Sequence, residues 1–164
     1  MDIRLFRDEY FFLSNFYKIP IFYDYKTWDT VEHLFQAAKF TDSKDREAIK
    51  NCETPGQAKR LARTLQLRPD WEDKKQEIMC KCLKMKFDQN PSLKEKLIDT
   101  ENAVLVEGNS WHDNYWGECS CKKCEKIFGK NILGELLMQI RKEYLIERGL
   151  IKGDKKYGST TILP

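Results

Sequence analysis

The sequence contains no apolar run long enough to cross a membrane. Its longest aromatic-rich segment, residues 10–16, includes Ser14 and Asn15 and is far shorter than the roughly 20 apolar residues that a membrane span requires. The first residues, Met1 to Arg4, are charged and lead into no apolar segment of a secretory signal. We therefore expect no membrane association and a cytoplasmic location.

The chain also lacks a marked excess of charge of either sign, and it has no internal repeat or low-complexity tract. Its 164 residues include 29 Lys and Arg and 26 Asp and Glu, a formal net charge of +3. A nucleic-acid-binding surface usually needs a concentrated basic face, so this balance neither favours nor excludes such a partner. A hydrophobic fraction of 41% suits one globular domain with a core.

What the sequence does contain is a series of helix signals that follow a short β-rich segment. Residues 19–25 are rich in β-branched and aromatic types, which predicts small strands joined by a turn. Thr30 is suited to cap a helix that runs to about Phe40. Further helices are predicted at residues 42–51, 55–65, 71–87 and 91–100, and a buried strand at residues 103–106.

The C-terminal part combines a long irregular stretch with one more helix. Residues 108–130 show no clear periodicity, and such a stretch inside a compact domain is usually functional or held by a metal. Asn131 is predicted to cap a core helix that Gly149 closes. The fold class is therefore α+β: a single, predominantly helical domain with a small N-terminal β-sheet at residues 1–148, and a weakly ordered tail at residues 149–164.

Residues 28–40 hold the densest set of candidate chemical groups. On a helix, Glu32, Gln36 and Lys39 are four and seven residues apart, so a carboxylate, an amide and an amine share one face. A solvated polar stripe explains the same spacing. His33, beside an apolar face, is more typical of a hydrogen-bonded structural residue than of a base.

A second candidate is the segment 112–118, in which Asp113, Trp116 and Gly117 offer an acid, an indole and a site of close backbone approach. Its indole can stack on a base or cover a ribose. Equally, Trp116 can pack into the core while Asp113 forms an Asx-turn. The segment Ser14 to Phe16 is as compatible with a turn as with a ligand contact.

The third candidate is a cysteine cluster. Cys119, Cys121 and Cys124 form a CxCxxC motif, and His112 lies seven residues upstream. Zn²⁺ takes four such donors in a tetrahedron, so a structural zinc site is one interpretation. Free thiols or a redox pair in a reducing compartment are the alternatives. The remaining cysteines, at positions 52, 80 and 82, are expected to be inert packing residues.

Taken together, these segments resemble those of the YbiA-like, or NADAR, N-glycosidases. The resemblance extends over residues 12–144, nearly the whole domain, and the order of its motifs makes it specific. The matching residues are Leu13-Ser14-Asn15-Phe16, Lys26-Thr27-Trp28, Glu32-His33, Phe35-Gln36-Ala37, Lys39-Phe40, Trp71, Lys86-Phe87, Asp113 to Gly117, Gly129-Lys130-Asn131, Leu133-Gly134, Leu136-Leu137-Met138 and Arg141.

This resemblance implies hydrolysis of the bond between a ribosyl carbon and a nitrogen. It implies two substrate classes: phosphoribosylamino-pyrimidine intermediates of riboflavin synthesis, and ADP-ribose attached to guanine in DNA or RNA. A non-catalytic module that binds ADP-ribose or a nucleotide, and a zinc-held interaction module, are the alternatives.

The resemblance also implies roles for particular residues. Glu32 is expected to stabilise positive charge at C1′ or to act in acid–base catalysis, and Asp113 to orient water or hold ribose hydroxyls. Lys39 is expected either to hold phosphate or to form a Schiff base. The residues expected to bind substrate are Ser14, Asn15, Phe16, Trp28, His33, Gln36, Trp71, Trp116, Gly117 and Asn131.

The cysteine cluster departs from the family pattern, in which a Gly-rich link can stand between Gly117 and Asn131. A metal held by Cys119, Cys121, Cys124 and His112 would fix this loop rather than act on substrate, because a hydrolytic zinc needs an open coordination position. No cofactor is therefore expected to be required for catalysis.

Overall fold

The computed structural model describes residues 2–153, so most of the predicted tail lies outside the described residues. Six α-helices and six short β-strands form one α+β unit, which confirms the predicted fold class. The helices are α1 (Val31–Ala37), α2 (Ser43–Lys50), α3 (Pro55–Ala62), α4 (Trp71–Asp88), α5 (Pro91–Ile98) and α6 (Ile132–Glu147). The strands are β1 (Asp2–Ile3), β2 (Ile21–Tyr23), β3 (Lys26–Trp28), β4 (Val104–Leu105), β5 (Gly108–Asn109) and β6 (Glu118–Cys119), and 3₁₀ turns occupy Asp8–Leu13 and Lys122–Cys124.

The β-structure consists of three two-stranded sheets within the described residues. Strands β2 and β3 form the predicted N-terminal hairpin, with Asp24 and Tyr25 at φ values of 53° and 56° in its turn. Two consecutive left-handed residues match the twist of a tight hairpin. Strand β1 pairs in parallel with β4, and β5 pairs in parallel with β6. These pairings join the N-terminal residues 2–3 to residues 104–105, and they tie residues 118–119 of the irregular segment back to residues 108–109.

Local capping chemistry explains where the first helices begin. The Thr30 hydroxyl accepts a hydrogen bond from His33 N at 3.1 Å, as predicted. Helix α3 starts with a capping box between Thr54 and Gln57, and Pro55 occupies its first turn, where the missing N–H has no cost. Helices α1 and α3 end about three residues earlier than their patterns predicted, because the chain continues in tighter turns in which Lys39 N donates to Gln36 O and Thr64 N donates to Leu61 O.

The start of α6 differs from the prediction. Asn131 occupies the position before the helix, but its backbone is left-handed, with φ of 48°, and its side chain makes no capping bond. The amide instead accepts from Glu107 N at 3.0 Å and donates to Leu105 O at 2.8 Å. The prediction of a side-chain cap is therefore wrong, because this amide links α6 to the end of β4. At the other end Gly149, with φ of 71°, closes the helix as predicted.

Helix α1 lies at the centre of the core, in contact with α2, α3 and α4. Every residue of this short helix is buried, including Glu32, His33 and Gln36. Burial of a carboxylate and an amide is costly unless both find partners or a function. No helix among residues 2–153 is long and apolar enough to span a membrane.

Candidate active site

A cleft of about 1010 Å³ opens above the polar face of α1. Its walls come from the N-terminal segment, from α1 and α3, and from the residues that follow β4. The lining residues are Phe6, Arg7, Phe11, Ser14, Asn15, Phe16, Glu32, Phe35, Gln36, Lys39, Gly56, Lys59, Arg60, Arg63, Met79, Glu107, Gly108, Trp111, His112, Asp113, Trp116 and Leu133.

Glu32 and Gln36 lie at the bottom of this cleft. Glu32 is only 5% exposed, and Gln36 Nε2 donates to its Oε1 at 2.6 Å. The backbone N–H of Glu32 donates to Asn15 O at 3.0 Å, which fixes the Ser14–Phe16 turn against α1. Because both side chains are buried, the interpretation of this face as a solvated stripe is wrong.

Two buried amide oxygens in the cleft have no hydrogen-bond partner within the described protein. They are Asn15 Oδ1 and Gln36 Oε1. Buried polar atoms are normally paired, so each such atom requires an explanation. Both residues line the cleft, and their oxygens are suited to accept hydrogen bonds from hydroxyl or amino groups of a ligand.

Lys39 lies one helical turn beyond Gln36. Its Nζ is 5.8 Å from the ring centroid of Phe35 and 5.5 Å from that of Trp71. Burial lowers the pKa of Lys39, although the charge of Glu32 opposes this shift. The cations Lys59 and Arg63 lower the pKa further. A lowered pKa makes the neutral, nucleophilic form of the amine more accessible, whereas the protonated form is the one that would bind a phosphate.

Glu107 is a cleft residue that the sequence reasoning missed. Burial raises its pKa to about 7, and the carboxylates of Asp113 and Glu32 add to the shift, while Lys59 and Lys86 oppose it. Its Oε2 has no hydrogen-bond partner within the described protein. A carboxyl group with this pKa is suited to general acid catalysis at neutral pH. The available signal was its place directly after the apolar run 103–106, in which only Val104 is exposed.

The Asp113 loop has structural features of both interpretations left open by its sequence. Asp113 Oδ1 accepts from Trp116 N at 2.8 Å and from Tyr115 N at 3.1 Å, so an Asx-turn is present. Asp113 and Trp116 nevertheless both line the cleft. The indole of Trp116 packs edge-on against Phe35, with ring centroids 5.3 Å apart.

Two of the tryptophans expected to contact substrate lie outside the cleft lining. Trp28 is 1% exposed, and its Nε1 donates to Tyr23 O at 3.3 Å. Trp71 is buried behind Phe35, with ring centroids 5.1 Å apart. Both indoles were expected to wall off the substrate, whereas the structure places them in the core that supports the wall.

His33, Gly117 and Asn131 also lie outside the lining. The His33 ring is held between Thr30 Oγ1 at 2.9 Å and Cys52 O at 3.0 Å, which agrees with the structural alternative. Gly117 permits a close approach of backbones, because a Cβ there would lie 2.0 Å from the carbonyl oxygen of residue 107. The side-chain oxygen of Asn131 accepts a hydrogen bond from the backbone N–H of Glu107 and so holds that residue in place.

A cationic wall is the second feature that the sequence reasoning missed. Arg7, Lys59, Arg60 and Arg63 line the cleft, three of them on or directly after α3. The spacing of these cations in the sequence is that of an ordinary solvated helix face, so no local signal distinguished them from surface residues. Aromatic residues are exposed at the same cleft, including Trp111 at 55%.

Lys86 supports the cleft from behind. It is fully buried, and its Nζ donates to Ser14 O at 2.9 Å. Burial lowers the pKa of Lys86 to about 7, and only the charge of Glu107 raises it. Ser14 Oγ in turn accepts from Phe16 N at 3.1 Å. Lys86 thus fixes the turn that presents Asn15 to the cleft.

The predicted metal ligands converge at one end of the cleft wall. The ligand atoms of His112, Cys119, Cys121 and Cys124 all lie within 4.8 Å of one another. His112 also lines the cleft, so the cluster and the candidate active site share one residue.

A cleft lined both by carboxylates, including the buried Glu32, and by a cluster of cations is typical of an enzyme acting on a phosphorylated or otherwise anionic substrate. The chain belongs to the NADAR domain family, whose model matches residues 5–145. The protein is accordingly a hydrolase of the N-glycosidase class.

Individual relatives agree with this membership. The chain is 43% identical over 143 residues to N-glycosidase YbiA of Escherichia coli, with 86% of each chain covered. It is 40% identical over 134 residues to the chloroplastic riboflavin biosynthesis protein PYRR of Zea mays, covering 74% of this chain and 20% of that protein. The solved NMR structure of E. coli YbiA matches with a TM-score of 0.78 at 39% identity, covering 96% of this chain and 90% of that one.

Proposed function

We propose that the protein hydrolyses the N-glycosidic bond of a phosphoribosylamino-pyrimidine, an intermediate of riboflavin synthesis. The observation that carries the proposal is that Glu32 and Glu107 line the same cleft as the cations Lys59, Arg60 and Arg63. This arrangement provides for a ribose at the carboxylates and a phosphate at the cations. A relative in Zea mays is named a riboflavin biosynthesis protein, which supports this substrate class.

The carboxylates have different tasks in this mechanism. As the C1′–N bond breaks, its electron pair goes to the nitrogen and positive charge develops at C1′ and the ring oxygen. Glu32, buried at the bottom of the cleft, stabilises that charge. Glu107, whose pKa is raised to about 7, donates a proton to the departing nitrogen.

Water then completes the reaction at C1′. It attacks the carbon, and the proton it loses returns to the Glu107 carboxylate, so the products are a ribose phosphate and a free amine. Asp113 faces the same space and is placed to orient the water or hold ribose hydroxyls. The oxygens of Asn15 and Gln36 accept hydrogen bonds from the sugar or the base.

Lys39 takes one of two roles in this scheme. As a cation it binds the phosphate together with Lys59 and Arg63. As a neutral amine, favoured by its lowered pKa, it captures the ring-opened ribose aldehyde as a Schiff base and releases one water. Trapping with borohydride, which reduces a Schiff base to a stable secondary amine, separates the two roles.

ADP-ribose attached to guanine in DNA or RNA is the second candidate substrate. The size of the cleft favours it: about 1010 Å³ is at the upper end of small-molecule pockets. The exposed rings of Phe11, Phe16 and Trp111 at the cleft offer stacking surfaces for bases outside the cleft.

The deciding experiment is mass spectrometry of the products formed from both substrates by wild-type protein and Glu32→Gln. Cleavage of the phosphoribosylamino-pyrimidine by the wild type alone is the expected result. Release of ADP-ribose only from modified guanine would replace the first substrate by the second. Saturable binding of either compound without release of a base would contradict catalysis and favour a nucleotide-binding module.

A further inference from the structure

We infer that His112, Cys119, Cys121 and Cys124 form a structural zinc site that holds one wall of the cleft in place. The site is independent of the proposed chemistry, because it supplies no group to the substrate. We expect this site to bind one Zn²⁺ through three thiolate ligands and one imidazole ligand.

The positions of the ligand atoms fit a tetrahedral ion. His112 Nδ1 lies 3.2 Å from Cys121 Sγ and 3.4 Å from Cys124 Sγ. Around zinc, with Zn–S near 2.3 Å and Zn–N near 2.0 Å, a tetrahedron places such a nitrogen and sulfur about 3.5 Å apart. All four ligand atoms lie within 4.8 Å of one another. A disulfide would use two of the sulfurs and leave the convergence of the imidazole unexplained.

The backbone holds each ligand where this geometry needs it. Cys124 N donates to Cys121 O at 2.9 Å in the 3₁₀ turn, which returns the second sulfur of the CxxC pair towards the first. Strand β6 carries Cys119, whose Sγ accepts from His112 N at 3.3 Å. This hydrogen bond from the His112 N–H stabilises the thiolate form of Cys119. When zinc binds, the protons of the three thiols are released to solvent.

The loop around the cluster is held mainly by hydrogen bonds and buries few apolar side chains. Ile127 is 53% exposed and Phe128 is 99% exposed, so the apolar residues of this segment do not form a core of their own. Small segments without a core are commonly held by a metal or a disulfide. His112 itself has a left-handed φ of 67°, which a side-chain ligand bond would help to maintain.

The site acts on the cleft through the neighbours of His112. Trp111 and Asp113 flank it in the sequence, and all three residues line the cleft. A metal bond to the imidazole therefore restrains the backbone that positions the exposed indole of Trp111 and the carboxylate of Asp113. Loss of the metal is expected to loosen this wall while the helical core remains folded.

The first test is the metal content of the full chain purified without chelator, measured by inductively coupled plasma mass spectrometry. We expect about one zinc per wild-type chain and at least about tenfold less in Cys121→Ser. Cys80→Ser is the matched control, because Cys80 lies on α4 away from the cluster, and it should retain the metal. His112→Asn removes a ligand while keeping a residue that tolerates a left-handed backbone.

Two further measurements keep the test independent of folding and of turnover. Reconstitution of the wild type with Co²⁺ should give the intense absorption of tetrahedral cobalt bound to thiolates. A chelator should accelerate tryptic cleavage after Lys122, Lys123 or Lys126, which are exposed in the loop, and added zinc should reverse this.

Several outcomes would overturn the inference. The first is that the wild-type chain takes up no zinc even when metal is supplied to the reduced protein. The second is that both Cys121→Ser and His112→Asn retain zinc. The third is that the mass of the chain reveals a disulfide within the cluster. None of these outcomes bears on hydrolysis, so the failure of this site and the failure of the proposed function are distinguishable.

Discussion

A buried carboxylate at the bottom of a cleft is the residue on which the proposed chemistry depends most. We expect Glu32→Gln to lower kcat by at least about 100-fold, because the amide cannot stabilise positive charge at C1′. The fold should persist, since the amide occupies the same volume beside Gln36. The measurement is kcat by product analysis, together with circular dichroism to verify folding.

The matched control for this variant is Glu135→Gln, on the exposed side of α6. It makes the same chemical change outside the cleft and should turn over at the wild-type rate. Glu32→Gln with full activity would refute the assignment, and equal losses in both variants would indicate a general effect on the protein.

Glu107 connects catalysis to pH. Its carboxyl has a pKa of about 7 in the folded protein against 4.5 as its ordinary value, in the combined field of Glu32, Asp113, Lys59 and Lys86. Between these two pH values the folded state keeps a proton that the unfolded state has lost. Raising the pH through this window therefore destabilises the fold, and the effect is complete above about 7.

We expect Glu107→Gln to remove this pH dependence, because an amide resembles the protonated acid and does not titrate. Urea unfolding at about pH 5 and about pH 8 measures it: relative to the variant, the wild type should lose stability at the higher pH. Groups that do not interact with Glu107 cancel in this comparison, whereas Lys86, whose pKa the charge of Glu107 raises, contributes to the measured difference. A constant difference between the two proteins at both pH values would contradict the raised pKa.

The same variant has an expected effect on the reaction. The wild-type kcat/KM should fall as the pH rises through about 7, because the general acid loses its proton. Glu107→Gln should be slower throughout and should lack this alkaline fall. An unchanged alkaline limb in the variant would assign the proton to another group.

At the scale of elements, α6 is joined to the end of β4 by the Asn131 side chain. Replacement by Ala leaves Glu107 N and Leu105 O without partners and keeps an unfavourable left-handed backbone. We expect a loss of about 2–4 kcal/mol in the free energy of unfolding. Because Glu107 also shifts, kcat should fall more than KM changes. Denaturant unfolding and steady-state kinetics measure the two effects.

Asn131→Gly is the informative companion, because glycine adopts the left-handed backbone freely but makes neither hydrogen bond. It should be destabilised less than Asn131→Ala but remain below the wild type. Stability of both variants within about 0.5 kcal/mol of the wild type would show that the link contributes nothing.

The elements that could be predicted from sequence are those with local signals. Thr30, the Thr54 capping box and Gly149 marked helix ends because each acts on backbone groups within a few residues. Strands β5 and β6 have two residues each, too short for periodicity, and they form only by pairing with each other. Their pairing, together with the Asn131 link, helps to place Glu107 beside the cleft.

The same reason explains which site residues could be predicted. Glu32 and Gln36 share one face of α1, and Lys39 lies in the turn directly after it, so their spacing grouped them, although the family resemblance was needed to favour a site over a solvated stripe. The cations of α3 look like a solvated face in the sequence, and only the tertiary fold brings them to the cleft that Glu32 also lines. Trp28 and Trp71 show the opposite error, because an indole in a motif has the same sequence signal whether it lines a cleft or supports one.

For the molecule as a whole, the nearly balanced charge conceals a local concentration of charged groups. Lys and Arg exceed Asp and Glu by only three residues, yet one cleft collects Arg7 and three cations of α3 together with the carboxylates of Glu32, Glu107 and Asp113. In a cleft with apolar walls, opposite potentials orient an anionic substrate before it makes contact. Net charge alone therefore could not reveal the substrate class.

The expected consequence is that the cations act in binding more than in the chemical step. We expect Arg63→Gln to raise KM about tenfold with little change in kcat, because the variant loses one charge-assisted contact to the phosphate. Lys44→Gln, on the exposed face of α2, makes the same change in net charge and should leave KM unaltered.

Added salt should raise the wild-type KM more than that of Arg63→Gln, because screening weakens a contact that the variant lacks. Equal KM values for both variants would mean that net charge, not the cationic wall, attracts the substrate. A fall in kcat alone would place Arg63 with the reacting atoms instead of the phosphate.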